Sequence, residues 1–381
     1  MARAPSPLKK TRRSSPSRAA TSAGTLAVAN NRQSRKRGPD VSERQYVGID
    51  LHRRRSVIVR VDAQGKHLST VRVANEWPEV AQAIEEAGPN PEVVLEATYG
   101  YYWLVDLLKE LGASIHLANP SGLNWGNRRV KNDERDALDL VKKLRLGELP
   151  EAWIPPPQVR ELRELVRYRA KAVQLRSGLK AQVHAVMAKN GVLPARYDMF
   201  GPGGNAQLDS LGPQLPVNYV IRIESLRDLI EIYDREVAQL EREIHRQLKD
   251  DPGYKAIQQI PGVGPTLGAI FVAEIGDVSR FSSAEKLCSW AGLTPKHRES
   301  DTKVVRGRVT KQGSKLVRWA AIEAISKNRG GTRLQADYRR LSERRGKHKA
   351  RIAVARKLLV YVYYGLRDGV IRSLIRTEEA A

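Results

Sequence analysis

Short β-branched runs punctuate the first third of the chain: Val47 to Asp50, Ser56 to Val61, Val93 to Leu95 and Ser114 to Leu117. Runs of this length bounded by polar and turn residues read as strands, and Asp62-Ala-Gln-Gly65, ahead of Leu68, reads as a hairpin turn. Tyr102 to Leu111 has helical spacing with a stop at Gly112. A β-meander followed by alternating helices and strands predicts a mixed sheet with helices packed on its faces, the plan of an RNase H-like fold.

The middle of the chain changes period. After the stiff Ile154-Pro-Pro-Pro157, Val159 to Lys189 reads as one long helix broken at Asn190-Gly191, and the Gly- and Pro-rich residues 191–216 read as a loop excursion. Ile223, Leu226, Ile230, Tyr233, Val237, Leu240 and Ile244 then recur at alternating steps of three and four, a heptad seam. That seam closes either against the first helix as an antiparallel hairpin or against another subunit. Arg169 and Arg176 interrupt the first helix's apolar face, where they either snorkel or meet nucleic acid. Further on, Gly262-Val-Gly264 joins two helical stretches, the second from Thr266 to Ile275. Such a turn is either the phosphate-facing bend of a helix-hairpin-helix or a tight turn between packed helices. It lacks P-loop and Gly-x-Gly-x-x-Gly spacing.

Charge decides the partner class. Lys and Arg number 66 against 42 Asp and Glu in 381 residues, a net +24. An excess of this size points to a polyanion, because each cation that neutralises a phosphate releases counterions. Residues 1–40 carry +9 of it and the rest of the chain +15. The first segment, rich in Arg, Ser, Pro and Ala, has too little apolar surface to fold and reads as a disordered basic arm, with a transit peptide as the competing reading. The single cysteine, Cys288, excludes an internal disulfide and a zinc site built on paired cysteines; beside Leu287 and Trp290 it reads as a core residue in a reducing compartment. No run reaches the roughly 18 to 20 apolar residues of a membrane span, so a soluble protein is expected.

Four acids stand out against this basic background. Asp50 and Glu96 each close an apolar strand, and Asp133 and Asp136 lie three residues apart on one helical face. A buried acid after Val-Val-Leu needs a partner or a metal, and two anions on one face repel unless a cation sits between them. Alternatives stay open: a strand-end acid can cap a turn, and acids are favoured at a helix N-terminus by its dipole. Between Lys296 and Arg318 there are eight Lys or Arg and two acids, a dense phosphate-binding surface that also holds Ser300. A serine needs a base or metal to become a nucleophile, so Ser300 alone carries no chemistry.

Ile260-Pro-Gly-Val-Gly-Pro265, Trp290-Ala-Gly-Leu-Thr-Pro295 and Ser300-Asp-Thr-Lys-Val-Val-Arg-Gly-Arg-Val-Thr-Lys-Gln-Gly-Ser314 together resemble the C-terminal domain of the transposases of insertion-sequence family one-ten. The similarity runs from about Tyr46 to Gly369, although Ser-Asp-Thr stands where the family usually has Ser-Gly-Gly. The resemblance implies a RuvC-like domain with Asp50, Glu96, Asp133 and Asp136 as a Mg²⁺-binding tetrad, and Ser300 as nucleophile. It also implies DNA as substrate, a structured bridge RNA as guide, a homo-oligomer of tetramer type with composite sites, and a bacterial cytoplasmic location at the nucleoid. Lys296, Arg298, Lys303, Arg306, Arg308 and Lys311 are the expected phosphate contacts. The expected organisation is a basic arm (1–43), a RuvC-like domain (44–152), a coiled-coil linker with a loop insertion (153–250), a mainly helical transposase domain with the helix-hairpin-helix-like turn (251–345), and a C-terminal basic helix and tail (346–381). Two other functions fit the same residues: a metal-dependent junction nuclease using water, and a nucleic-acid-binding protein without catalysis.

Overall fold

The computed structural model describes residues 45–123, 132–192, 199–301, 303–328 and 331–374; the basic arm lies outside the described residues. The chain divides into two compact units at Trp153/Ile154, beside the Pro-rich segment.

The first unit is built on a five-stranded mixed sheet. Its elements run β1 (Tyr46–Leu51), β2 (Arg55–Val61), β3 (His67–Ala74), α1 (Trp77–Glu85), β4 (Glu92–Glu96), α2 (Tyr102–Glu110), β5 (Ser114–Ala118) and α3 (Asp133–Arg145). The spatial order is β3-β2-β1-β4-β5, antiparallel through β1 to β3 and parallel from β1 to β5. The expected turn at Asp62 to Gly65 joins β2 to β3, closed by the Gly65 N–H donating to Asp62 O at 3.0 Å, with Gly65 at φ 85°.

Alternation of side chains along each strand separates two layers. Val57, Val59, Val61 and Val94 face α3, where they pack on Ala137, Leu140 and Val141. Val47, Ile49, Ile58 and Leu95 are also fully buried and occupy the alternate positions. Gly48 sets the spacing on the α3 side. A Cβ there would lie 2.2 Å from Ala137 O and 2.6 Å from Val141 Cγ2, so only glycine lets the helix come this close to the strand. Gly48→Ala is therefore expected to lower unfolding free energy by about 1–3 kcal/mol, the usual cost of overpacking, as read in a urea melt. Because Asp50 leaves β1 two residues later on the same face, the substitution also separates it from α3.

The second unit is mainly helical: α4 (Pro157–Lys189), α5 (Pro202–Leu211), α6 (Val217–Leu248), α7 (Pro252–Gln258), α8 (Pro265–Ile275), α9 (Ala284–Trp290), β6 (Pro295–Ser300), β7 (Lys303–Val309), α10 (Lys315–Lys327), α11 (Arg333–Arg345) and α12 (Lys347–Asp368). The heptad seam is buried inside the single chain. Ile223, Leu226 and Ile230 pack with Val183, Val186 and Met187 of α4, and Ile244 and Leu248 join Leu162 and Val166. Arg169 and Arg176, open between snorkelling and nucleic acid on sequence, pair across this hairpin with Glu241 and Asp234. The segment 191–216 is less of a loop than its composition suggests. It contains α5, whose Leu208 joins Met199 and Leu215 against the helical hairpin.

The Gly262 turn also packs internally. Gly262 has φ 94°, and a Cβ on it would meet Ala324 O of α10 at 2.2 Å, so packing alone accounts for the glycine. Helix α12 is part of the same core, with Val354, Ala355, Leu358 and Leu359 fully buried. Cys288 is buried as expected, and burial pushes its thiol up to about 11.

Buried charge ties this core together. Glu274, near the end of α8, accepts from Arg167 of α4 at 2.7 Å and from the Ser314 hydroxyl at 2.8 Å, while Arg163 donates to Ala273 O and Glu274 O. Burial opposes the Glu274 charge, but these donors outweigh it and hold its carboxyl below the usual range. Ser314 caps α10 by accepting from the Val317 N–H, so the same contact fixes the helix that follows β7.

Candidate active site

The parallel register sets Ile49 opposite Leu95, which brings Asp50 and Glu96 to the same ends of neighbouring strands. Alternation puts both on the α3 face, with Gly48 and Val94. Helix α3 begins at the same place. Its cap is Asn132, whose side chain accepts from the Glu134 N–H, and Asp133 is the first helical residue. The acids thus come together because a strand end and a helix start coincide, at the distance Gly48 permits.

The closest group is Asp50, Asp133 and a residue the sequence reading passed over, His52. One ligand atom from each lies within 4.8 Å of the others. His52 Nε2 stands 3.1 Å from Asp50 Oδ2 and 3.3 Å from Asp133 Oδ2. Asp136, one turn along α3, is 4 % exposed. Burial pushes the Asp50 carboxyl up, His52 pulls it down, and Asp133 and Asp136 push it up again; the result lies above the ordinary carboxylate value. Asp50 therefore feels both helix acids. Glu96 is half-buried at the same sheet end and face, outside the tightest group.

The donor set fits a hard divalent cation: carboxylate oxygens dominate, they repel one another, and an imidazole nitrogen stands between two of them. No periodicity or run singles out His52; its position two residues after Asp50 is the only signal in the sequence.

Ser300 lies in the second unit, as the last residue of β6. The β6–β7 hairpin pairs Ser300 with Lys303, and every residue of β6 is exposed. Its base is held by Arg318, which donates to Ala291 O and Gly313 O at 3.1 Å each and also to Gln312 O. Lys296, Arg298, Arg308 and Lys311 are exposed around the hairpin. Lys303 and Arg306 are on β7, with side chains outside the described residues.

A second charged cluster sits on β5. His116 Nε2 is 2.6 Å from Glu92 Oε2 and its Nδ1 is 2.9 Å from Glu151 Oε1. Burial opposes the imidazolium, but the two carboxylates outweigh it and raise the histidine above 6.5. A raised histidine contributes stability that is fully present below its unfolded value and is lost as pH rises through the folded one. The melting temperature is thus expected to fall above about pH 6.5, and His116→Gln should flatten that part of the profile in a pH series of thermal melts.

Comparison with known proteins matches two stretches of the chain, the first of which runs past Trp153 through α4. Residues 47–190 match a DEDD-type transposase model, and residues 254–338 match the model described as "Transposase IS116/IS110/IS902 family". The chain belongs to the IS116/IS110/IS902 family of transposases. The transposase is 28% identical over 362 residues to y4qE of Sinorhizobium fredii, whose name describes it as a transposase; the alignment covers 85% of this chain and 88% of that one. It is 25% identical over 339 residues to an insertion element IS116 protein of Streptomyces clavuligerus, covering 73% and 82%. It is 30% identical over 149 residues to the pilin gene-inverting protein of Moraxella lacunata, covering 37% and 46%. The transposase is therefore an enzyme that acts on DNA by cutting and rejoining it. A divalent-metal site is supported by the DEDD match and by the Asp50–His52–Asp133 group. No helix among the described residues is long and apolar enough to cross a membrane.

Proposed function

We propose that the transposase is a guide-RNA-directed recombinase in which Ser300 is the nucleophile and the Asp50, Glu96, Asp133 and Asp136 carboxylates hold Mg²⁺ in a RuvC-like domain. The observation that carries this reading is the convergence of Asp50 and Asp133 on His52 Nε2, with Asp136 near enough to raise Asp50 further. Carboxylates gathered at mutual electrostatic cost need a cation to repay it. The sheet order β3-β2-β1-β4-β5 supports the RNase H-like plan.

When bound, the cation supplies positive charge to the scissile phosphate and its leaving oxygen. Asp50 and Asp133 would hold it most directly, with Asp136 and Glu96 completing the oxygen set. Ser300 gives up its hydroxyl proton to a base, and its oxygen forms a bond to phosphorus as the bond to the deoxyribose oxygen breaks; that oxygen leaves with a proton. One phosphate ester is exchanged for another, so the bond energy is kept for rejoining. Lys296, Arg298, Lys303, Arg306, Arg308 and Lys311 neutralise the phosphates that flank the break.

Base pairing with a bridge RNA would supply sequence recognition, which leaves the protein to bind backbones, as its charge suits it to do. Assembly as a tetramer would bring a tetrad and a serine together. The strand-exchange reading is further supported by the Moraxella relative, named for inverting a gene.

Trapping the protein on cleaved DNA under denaturing conditions tests the reading. A covalent protein–DNA adduct is expected; cleavage without one would establish the water-using nuclease, and neither would leave only a binding protein.

A further inference from the structure

Between the C-terminal end of α10, the first turns of α11 and the start of α12 lies a cavity of 270 Å³. Ile325 and Leu334, both buried, give it an apolar floor; Asn328, Gln335, Tyr338 and Arg351 form its walls. It belongs to neither the metal group nor the serine hairpin.

Three wall atoms are shielded from solvent and have no hydrogen-bond partner among the described residues: Asn328 Nδ2, Gln335 Oε1 and Arg351 Nε. A buried unsatisfied polar atom costs about 1–3 kcal/mol, and three around one cavity require a reason. The Asn328 amide is oriented by its neighbours. Thr332 Oγ1 accepts from the Gln335 N–H at 3.2 Å as the cap of α11, so its hydrogen is free to donate to Asn328 Oδ1 at 2.8 Å. The amide nitrogen is the donor left over.

These groups share a chemistry. Amides, a guanidinium and a phenol ring are flat, and they present both donors and an acceptor around a small space with an apolar floor. Pockets for drug-sized ligands start at roughly 300 Å³, and a single planar heterocycle needs less. The surroundings are strongly basic. Arg333, Arg339, Arg340, Arg344, Lys347 and Lys349 are exposed on α11 and the start of α12. Asp337, between Gln335 and Tyr338 on α11, is neutralised by Arg340 at 2.9 Å and Lys357 at 2.6 Å.

We propose that this cavity receives one unstacked nucleobase of a bound strand. Tyr338 and the Arg351 guanidinium offer planar faces, Asn328 and Gln335 take the base edge, and the exposed cations of α11 hold the flanking phosphates. A single-stranded segment presents unstacked bases, and a pocket of this kind can hold one of them. Either a DNA strand or an RNA strand presents this chemistry.

Fluorescence anisotropy with the full chain and three labelled strands of equal length tests the proposal: oligothymidylate, oligouridylate, and an abasic deoxyribose-phosphate strand. Wild type should bind a base-bearing strand more tightly than the abasic one. Tyr338→Ala should weaken that binding about tenfold, a factor within the range for one stacked base, and leave the abasic strand unaffected. Gln335→Leu keeps the side-chain volume and the backbone bond to Thr332, so it probes the edge contact without removing the cap; it should weaken the same strand in the same selective way. A loss seen with oligothymidylate assigns the pocket to DNA, and one seen with oligouridylate assigns it to RNA. Equal weakening of all three strands, or no weakening in either variant, would overturn the proposal and leave a water-filled cavity. Thermal melts of both variants separate a binding loss from an unfolded chain.

Discussion

Ser300→Ala is expected to abolish both the covalent adduct and recombination while DNA affinity and melting temperature stay close to wild type. The two halves of that expectation come from different observations. The side chain is exposed at the end of β6, so its hydroxyl contributes little packing, and surface substitutions of this kind shift stability by about 0.5 kcal/mol or less. The hydroxyl oxygen is also the atom that would bond to phosphorus, and alanine has no substitute for it. Ser300→Cys should retain a trace of adduct, since a thiolate is nucleophilic but longer and softer. Denaturing gels and a plasmid recombination assay read the two outcomes together. If the alanine variant cuts DNA at near wild-type rate in Mg²⁺, water is the nucleophile and Ser300 has no part in the chemistry.

Asp50→Asn should separate stability from activity in the opposite sense. Asp50 is raised above its unfolded value chiefly by burial and by Asp133 and Asp136. A carboxylate raised on folding costs stability once it is charged: the cost is absent below its unfolded value of 3.8 and fully present above the raised one. At neutral pH the asparagine removes that cost, so the metal-free variant should melt higher than wild type in EDTA. Adding Mg²⁺ should raise the wild-type melting temperature by mass action and move the variant far less. Cleavage should fall by about a hundredfold or more, as expected when a charge that organises a phosphoryl-transfer site is lost. A variant that melts lower in EDTA and still responds fully to Mg²⁺ would remove Asp50 from the metal site.

Much of this architecture is written in local pattern. The strands of the first unit are legible because Val47 to Asp50, Ser56 to Val61 and Val93 to Leu95 are β-branched runs between turns, and their observed limits differ from the runs by at most one residue at each end. The long helices are legible because a heptad seam survives over Ile223 to Ile244. The β6–β7 hairpin is not. Pro295-Lys-His-Arg-Glu-Ser300 has no apolar alternation, because the strand buries no face. Helix α1, from Trp77, is a different case: a proline in its first turn and the buried Val80, Ala81, Ala83 and Ile84 are helix signals, although the helix is not among the expected elements. At the metal group, the acids are conspicuous as charges closing apolar runs. His52 is not, because its role arises only where the end of β1 meets the start of α3, a coincidence of tertiary structure at which its two-residue step from Asp50 only hints.

The exposed β6–β7 hairpin has a consequence for how the molecule behaves in solution. A two-stranded ribbon has two open edges, each a row of unpaired backbone donors and acceptors ready to template a strand from another molecule. Lys296, Arg298 and Arg308 stand exposed along this ribbon, and their mutual repulsion keeps a second ribbon from docking edge to edge. The positive charge thus guards against self-association as well as attracting phosphate. Stripping it with alanines would expose sticky edges and deplete soluble protein, and a lost DNA signal could then be an aggregation artefact. Exchanging Arg298 and Arg308 for lysine preserves the repulsion and alters only the hydrogen-bonding fork, so it is the cleaner way to ask what the hairpin grips.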